Sequence, residues 1–497
     1  MKPDRQHKTP FFTKLKAYGL SGVTPFDVPG HKLGKVKNDL MDFIGPNTYL
    51  LDCNAPIGLD NLNKPTGVIR EAQSLMAEAC KADRCYFLTN GTTTGIIAMI
   101  MAVCRANDKI ILPRNVHKSV INGLILSGAM PVFVKPDIDR DFGIANGVAF
   151  ETYKQAIDEH PDASALLIIN PTYFGVASDL EQIIEYAHEN NLTVLVDEAH
   201  GAQFYFSEHL PLGAMEAGAD ICATSTHKTA GSLTQSSVIL TSGKRIDHFR
   251  LRSTLNILQS TSPSALLIAS LDVARKTMYF EGPKRIPKIL DMAAKARERL
   301  KEIPGLKIMD KAYVQENGGF DFDETKIVIK VTDLGLTGFE VFHKLRKKYN
   351  IQLELSETHL VLCVLSIGTT LDDLDALCEA FLDLSEKYYK PHRRAAKIRF
   401  EYDYPESYAR PRDAYHAPKL YVPLEEAYNE ISAESIMIYP PGIPLVIPGE
   451  IITQQVIDDI AYYVKKGSTV LSDLNDGRVK IINKEKWIKY EGDMEDD

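Results

Sequence analysis

Lys228 ends a short apolar run, ICATSTHK (221–228), among small and hydroxylated neighbours. A lysine drawn into a cleft beside other charges loses basicity and becomes a usable nucleophilic amine. A second run, TVLVDEAH (193–200), ends on Asp197 and His200. A carboxylate at such a strand end is partly desolvated and needs a cationic partner, for which a protonated ring nitrogen would serve. A third segment, TNGTTTG (89–95), precedes the apolar stretch IIAMIMAVC. Glycine there lets the backbone approach a ligand. Thr92, Thr93 and Thr94 would set hydroxyls beside the free N–H groups and positive end of a helix, a combination that binds phosphate. The pattern is neither GxGxxG nor a P-loop, since no GK[ST] follows. Ser225 and Thr226 are further candidates for holding phosphate, and His227 could polarise the site. PRNVHKS (113–119) adds His117, which could stack on a planar group or donate a proton.

Each segment alone has a plainer explanation. Lys228 could be an exposed loop lysine, the usual fate of that residue. Asp197 could cap a helix or bind a metal with His200, although DxxH shows no third ligand at convincing spacing, so no metal is expected. The threonines could simply cap a helix after a tight turn, and His117 could bond loop backbone. DVPGHKLG (27–34), with Pro29, Gly30 and His31, reads as a structural turn. The three segments together, in sheet order, favour a site.

The elements that would position these residues follow a rhythm between residues 80 and 245. The runs 84–90, 109–115, 131–136, 164–171, 193–200, 221–228 and 236–242 lack polar alternation and read as strands buried on both faces. The pieces between them, EQIIEYAHENN among them, are long enough for crossover helices. This is an open, mainly parallel α/β sheet. Ligands in such sheets sit beyond the carboxyl ends of the strands, where Asn90, His117, Asn170, Asp197, His200, His227 and Lys228 all fall. Residues 246–310 turn helical, as ALLIASLDVARKTMYFEG and then KILDMAAKARERLKEI. A smaller α+β unit follows from about 325. We expect three regions: a large domain at 1–310, a small α+β domain at 311–390 and a C-terminal domain at 391–497. A proline-bearing linker is expected at 387–412, a rigid turn-rich segment around MIYPPGIPLVIPGE, and a mobile acidic tail, EGDMEDD.

The chain has 497 residues, 44% hydrophobic and 25% charged, enough for two or three packed domains. Its net charge of −9 argues against nucleic-acid binding. Seven cysteines, with no CxxC, fit reduced thiols in a cytoplasmic protein. No signal peptide or membrane-spanning helix is expected.

PGHK, NGTTTG, PRNVHKS, NPTYFGV, VDEAHG, TSTHK and YPPGIPLVIPGE together resemble the Orn/Lys/Arg decarboxylases of pyridoxal-phosphate (PLP) fold type I, over residues 8 to 480. NPTYFGVASDL, STHKTAGSLTQSS, LGLTGFEV, IQLELS and PRDAYHA are most similar to the short biosynthetic arginine decarboxylases of the Bacillus type. The resemblance implies PLP as cofactor and a basic amino acid as substrate. The leading expectation is arginine, converted to agmatine and CO2 for polyamine biosynthesis. Lysine or ornithine is the alternative within the family. An aminotransferase and a non-catalytic metabolite-binding protein are the alternatives outside it. By resemblance, Lys228 is the Schiff-base lysine, Asp197 pairs with the pyridine nitrogen, and His117 stacks on the ring. Thr92, Thr93 and Ser225 match phosphate-site positions, and His200 and His227 match active-site histidines. Glu354 and Glu450 are candidates for meeting the distal cation of the substrate. A homodimer or higher oligomer with active sites at the interface is implied. Where relatives have His before PGHK, this chain has Asp27; LDDLH is replaced by LDNLN, with Asn61 and Asn63; AxGRI is replaced by AYNEI. The first two changes bear on substrate identity and none on the cofactor core.

Overall fold

The seven apolar runs form the seven strands of one sheet: β1 (Arg84–Leu88), β2 (Lys109–Pro113), β3 (Met130–Val134), β4 (Ala163–Ile169), β5 (Thr193–Asp197), β6 (Ile221–Thr224) and β7 (Ser237–Thr241). Their order is β1-β7-β6-β5-β4-β2-β3. In this computed structural model, which describes residues 4–391, 404–439, 443–465, 469–474 and 477–487, all neighbours pair parallel except those of β7, which runs antiparallel to both β1 and β6. Pro440, Pro441, residues 392–403 of the expected linker and the acidic tail lie outside the described residues.

The absence of polar alternation has a direct cause. Val194 and Val196 point into one hydrophobic core with Met76, Ile183, Leu271 and Met278. Leu195, between them, points into the other, with Ile100, Val120, Leu124 and Leu251. Successive strand residues face opposite sides, so a sheet covered on both faces must be apolar at every position. Helix α1 (Gly91–Val103) is buried along nearly its whole length against the second face, beside α2 (Lys118–Ser127).

The two helical stretches expected at 246–310 differ from what forms there. His248–Leu258 is one helix, and Ala265–Lys301 is a single 37-residue helix, α3, that continues through Pro283 and Pro287. Its first half feeds the main core through Leu271, Met278 and Ile286. Its second half feeds another through Ile289, Ala293, Ala296 and Leu300. The core of the smaller unit therefore begins well before residue 311. Its sheet also starts early, at Lys307–Ile308, which pairs with Lys326–Lys330, then Leu360–Val364, then Leu355–Ser356, all antiparallel. Helices α4 (Gly338–Lys348) and α5 (Leu371–Tyr388) cover it, each opened by a reciprocal capping box. The other face of this sheet, with Val328, Leu355 and Leu362, packs on Phe142, Phe174 and Val176 of the large unit.

The C-terminal residues form a third assembly. Strands Lys419–Pro423 and Arg478–Ile482 pair, and Ile436–Tyr439 lies between Ile443–Val446 and Thr469–Leu471. All seven cysteines are buried and unpaired. No helix among the described residues is long and apolar enough to cross a membrane.

Candidate active site

The carboxyl ends of β1, β4, β5 and β6, with the reversed start of β7, border a cavity of about 630 Å³. The small unit contributes Glu354, Glu357 and His359 to its wall, and the C-terminal unit contributes Ile438, Ile443, Leu445 and Tyr463.

Lys228 lies on the one-turn helix Thr226–Thr229 just beyond β6. It lines the open cavity, and its Nζ sits 2.9 Å from His200 Nε2. Enclosure by protein pushes its ammonium below the ordinary lysine range. Asp197 and Glu354 oppose that shift and Lys326 adds to it.

Asp197 ends β5 and is 6% exposed. Burial raises its pKa, against the Ala199 N–H that donates to Oδ1 at 3.1 Å and the nearby Lys228 charge. No cation pairs directly with it among the described residues. A buried carboxylate so placed is stabilised by any cation brought to its open face.

His200, three residues on, is also buried. Its ring meets Tyr173 edge to face at a centroid distance of 4.6 Å, and its Nδ1 is 3.3 Å from Lys326 Nζ. Burial first, then Lys228 and Lys326, drive its pKa far below the usual value, so it is neutral. His117 caps α2: the Ser119 N–H donates to its Nδ1 at 3.2 Å. Nδ1 thus carries the lone pair and Nε2 the proton. Burial and the charges of Lys228 and Lys118 lower its pKa to about 4. His227 uses Nδ1 to donate to the Ser236 carbonyl at 2.9 Å.

At the other end of the cavity, α1 begins at Gly91, whose φ of +72° makes the tight turn that glycine tolerates. The side chain of the cap residue Asn90 accepts no capping bond from the backbone N–H groups of the first turn. The N–H groups of Thr92 and Thr93 therefore stay available at the positive helix end. Thr92 Oγ1 and Ser225 Oγ are 2.9 Å apart and both line the cavity. Thr94 does not join them. It is buried within the helix start, 3.1 Å from Asn90 Nδ2, which corrects its expected phosphate role. Position N4 turns inward because the helix packs that face on the sheet.

Glu450 is corrected as well. It is 1% exposed, away from the cavity, and takes two hydrogen bonds from Arg114, Nε at 2.8 Å and Nη2 at 2.7 Å. Its carboxylate is occupied inside the protein and does not line the cavity. Glu354, by contrast, lines the cavity and accepts from Tyr173 Oη at 2.6 Å. Asp27, Asn61 and Asn63 do not line the cavity; the loop carrying the asparagines is organised by Asp60, which accepts the N–H groups of Thr66, Gly67 and Ile69.

Sequence reasoning missed Tyr173, Lys326 and Glu357. Tyr173 stands inside NPTYFGV, a motif of the resemblance in which it is not singled out as a site residue. Glu357 follows Glu354 by three residues, across the short strand Leu355–Ser356. Lys326 begins the strand KIVIK, and nothing in that pattern marks it as buried.

A phosphate at Thr92, Thr93 and Ser225, a protonated ring nitrogen at Asp197 and a carbonyl at Lys228 would satisfy this donor set. An available helix N-terminus, an unpaired buried carboxylate and an amine of lowered basicity border one cavity. The residues present fit PLP.

The model of the Orn/Lys/Arg decarboxylase major domain matches residues 9–373, and that of the family's C-terminal domain matches 395–468. The chain is 42% identical to the arginine decarboxylase of Bacillus subtilis, over 97% of this chain and all of that one. It is 25% identical to the lysine decarboxylase LdcA of Pseudomonas aeruginosa, over 90% of this chain and 74% of that one. Among solved structures, the Francisella novicida lysine decarboxylase LdcF superposes with a TM-score of 0.81 at 21% identity, covering 96% of this chain and 81% of that one. The serine palmitoyltransferase of Sphingomonas wittichii shares the fold over 65% of this chain and 77% of that one, with a TM-score of 0.53 at 16% identity. The large unit thus has PLP fold type I, and the chain belongs to the Orn/Lys/Arg decarboxylase family.

Proposed function

We propose that this protein decarboxylates L-arginine to agmatine and CO2, with PLP bound in the cavity at Lys228. The observation that carries the reading is the likeness to an arginine decarboxylase over the whole chain, with a cavity that pairs a tuned lysine and an unpaired aspartate. Thr92, Thr93 and Ser225 would hold the phosphate, Asp197 the ring nitrogen, and His117 a ring face. When bound, the cofactor supplies the electron sink that lets the Cα–carboxylate bond break. The chain's own groups do the rest. Lys228 Nζ holds the proton that returns to the substrate Cα, and His200 Nε2, 2.9 Å away, exchanges it. His117 stays neutral at physiological pH and adds no charge against the substrate amine. CO2 release measured on arginine, lysine and ornithine tests the reading. Arginine should lead; release from ornithine or lysine alone would move the substrate, and keto-acid formation without CO2 would point to transamination.

The distal guanidinium would meet Glu357 and Glu354. Glu357 lines the cavity with no cationic partner among the described residues. Burial lifts its pKa to about 8, so an approaching cation stabilises its charged form. Glu357→Gln should raise the KM for arginine roughly thirtyfold or more, with a smaller change in kcat. In the parent enzyme, that KM should rise as pH falls below about 8 and Glu357 takes up a proton. An unchanged KM in the variant would remove Glu357 from the substrate site.

We further propose a cytoplasmic homodimer or higher oligomer. The N-terminal region leaves Phe26 93%, Phe43 91% and Ile57 103% exposed, and exposed apolar side chains gathered in one region favour an interaction surface. Light scattering should give at least twice the protomer mass; a monomer at micromolar concentration would refute it.

A further inference from the structure

Tyr173 stands on a turn whose backbone is fixed from two directions. Within the turn, the Thr172 N–H donates to the Val176 carbonyl at 2.8 Å, and the Gly175 N–H donates to the Thr172 carbonyl at 3.0 Å. From the small unit, the Asp323 N–H donates to the Gly175 carbonyl at 2.8 Å, and Asp321–Phe322 pairs with Val176–Ala177. The phenol ring packs edge to face on His200, and Lys228 Nζ lies 5.9 Å from its centroid. Its hydroxyl reaches across to the small unit and donates to Glu354 Oε1 at 2.6 Å. The Glu354 backbone is anchored as well, its N–H donating to the Leu362 carbonyl at 3.1 Å. The Glu354 side chain, however, is exposed where it lines the cavity. An exposed glutamate ordinarily samples many rotamers, and ordering it costs entropy. Tyr173 ties this one down before any substrate arrives.

We infer that Tyr173 is a positioning residue for selectivity: by holding the Glu354 carboxylate in one orientation, it favours a planar guanidinium over an ammonium at the distal end of the substrate. The inference deepens the proposed function and rests on Glu354 meeting that end. The direction of the bond follows from the pair itself, because a carboxylate only accepts and the phenol O–H must donate. A carboxylate has about four lone-pair sites, so the one Tyr173 takes leaves room for two more N–H donors. A guanidinium offers its donors as a rigid planar fork and bonds best to a carboxylate whose plane matches it. An ammonium is a compact charge with rotatable donors and meets a carboxylate in many orientations. Releasing Glu354 therefore penalises the guanidinium more than the ammonium. The charge at the site stays the same, and only its orientation is lost.

Tyr173→Phe removes one oxygen and keeps the ring that packs on His200. In the full-length enzyme with PLP, the KM for arginine should rise roughly tenfold, with a smaller change in kcat. The inhibition constant of lysine, added as a competitor, should move by less than about twofold. Glu354→Gln, a change on an exposed side chain, should show the same loss of preference. Tyr173→Phe added to Glu354→Gln should raise the KM no further, because both remove one interaction. A tyrosine that is only structural would lower the melting temperature and weaken arginine and lysine alike. That outcome, an unchanged KM, or full additivity in the double variant overturns the inference. If the parent enzyme releases no CO2 from arginine, the proposed function falls and takes this inference with it. If the parent acts on arginine and Tyr173→Phe keeps its preference over lysine, the inference alone falls.

Discussion

Lys228→Ala is expected to abolish CO2 release, with kcat falling by roughly four orders of magnitude or more, since in the proposed mechanism one residue would supply both the nucleophilic amine and the returning proton. The visible absorbance of lysine-bound cofactor should vanish with it. The fold should survive, because Lys228 packs into no core: it lines the cavity and, among the described residues, makes its close polar contact with His200. The melting temperature therefore separates this result from unfolding. Added methylamine should restore a little turnover by replacing the amine. A variant that retains normal turnover would end the assignment of Lys228 and the mechanism built on it.

How far this site could be read from sequence depends on what each residue answers to. Lys228, Asp197 and His200 sit at strand ends, and strand ends are visible as the close of an apolar run. All seven runs became strands of one sheet, because burial on both faces leaves a signal at every position. The direction of β7 was not visible, since an apolar run reads the same either way. Thr94 was misassigned because the N-terminal turn of a helix puts adjacent threonines on different faces, and sequence does not say which face meets the ligand. Lys326 and Glu357 come from the small unit, and their nearness to Lys228 and Tyr173 arises from packing between units. No local pattern encodes a contact of that kind. The long helix was read as two because prolines usually stop a helix. Here Pro283 and Pro287 lie within it, where it passes from one core to the next.

Glu450 shows the same limit with a larger consequence, because its misreading inverts what a substitution should do. As a substrate ligand, Glu450 would govern the KM for arginine and leave stability alone. The structure places it against Arg114, each 1% exposed, with Arg114 Nη1 also donating to the Pro444 carbonyl at 3.0 Å and the Ile447 N–H donating to Glu450 Oε2 at 2.9 Å. Arg114 belongs to the loop after β2 and Glu450 to the C-terminal unit, so the pair fastens that unit to the edge of the large sheet. Glu450→Ala should lower stability by about 3–5 kcal/mol, because it strands a buried guanidinium without its carboxylate. The urea midpoint should fall accordingly. Replacing both partners, Arg114→Met with Glu450→Leu, should recover much of the loss, because no unpaired charge remains. The pair also steadies Ile443 and Leu445, which line the cavity, so activity should decline similarly for arginine, lysine and ornithine. Glu357→Gln should instead weaken arginine selectively. If Glu450→Ala leaves the urea midpoint in place and raises the KM for arginine alone, the distal end of the substrate must reach Glu450 after all, and the division of labour between the two glutamates is reversed.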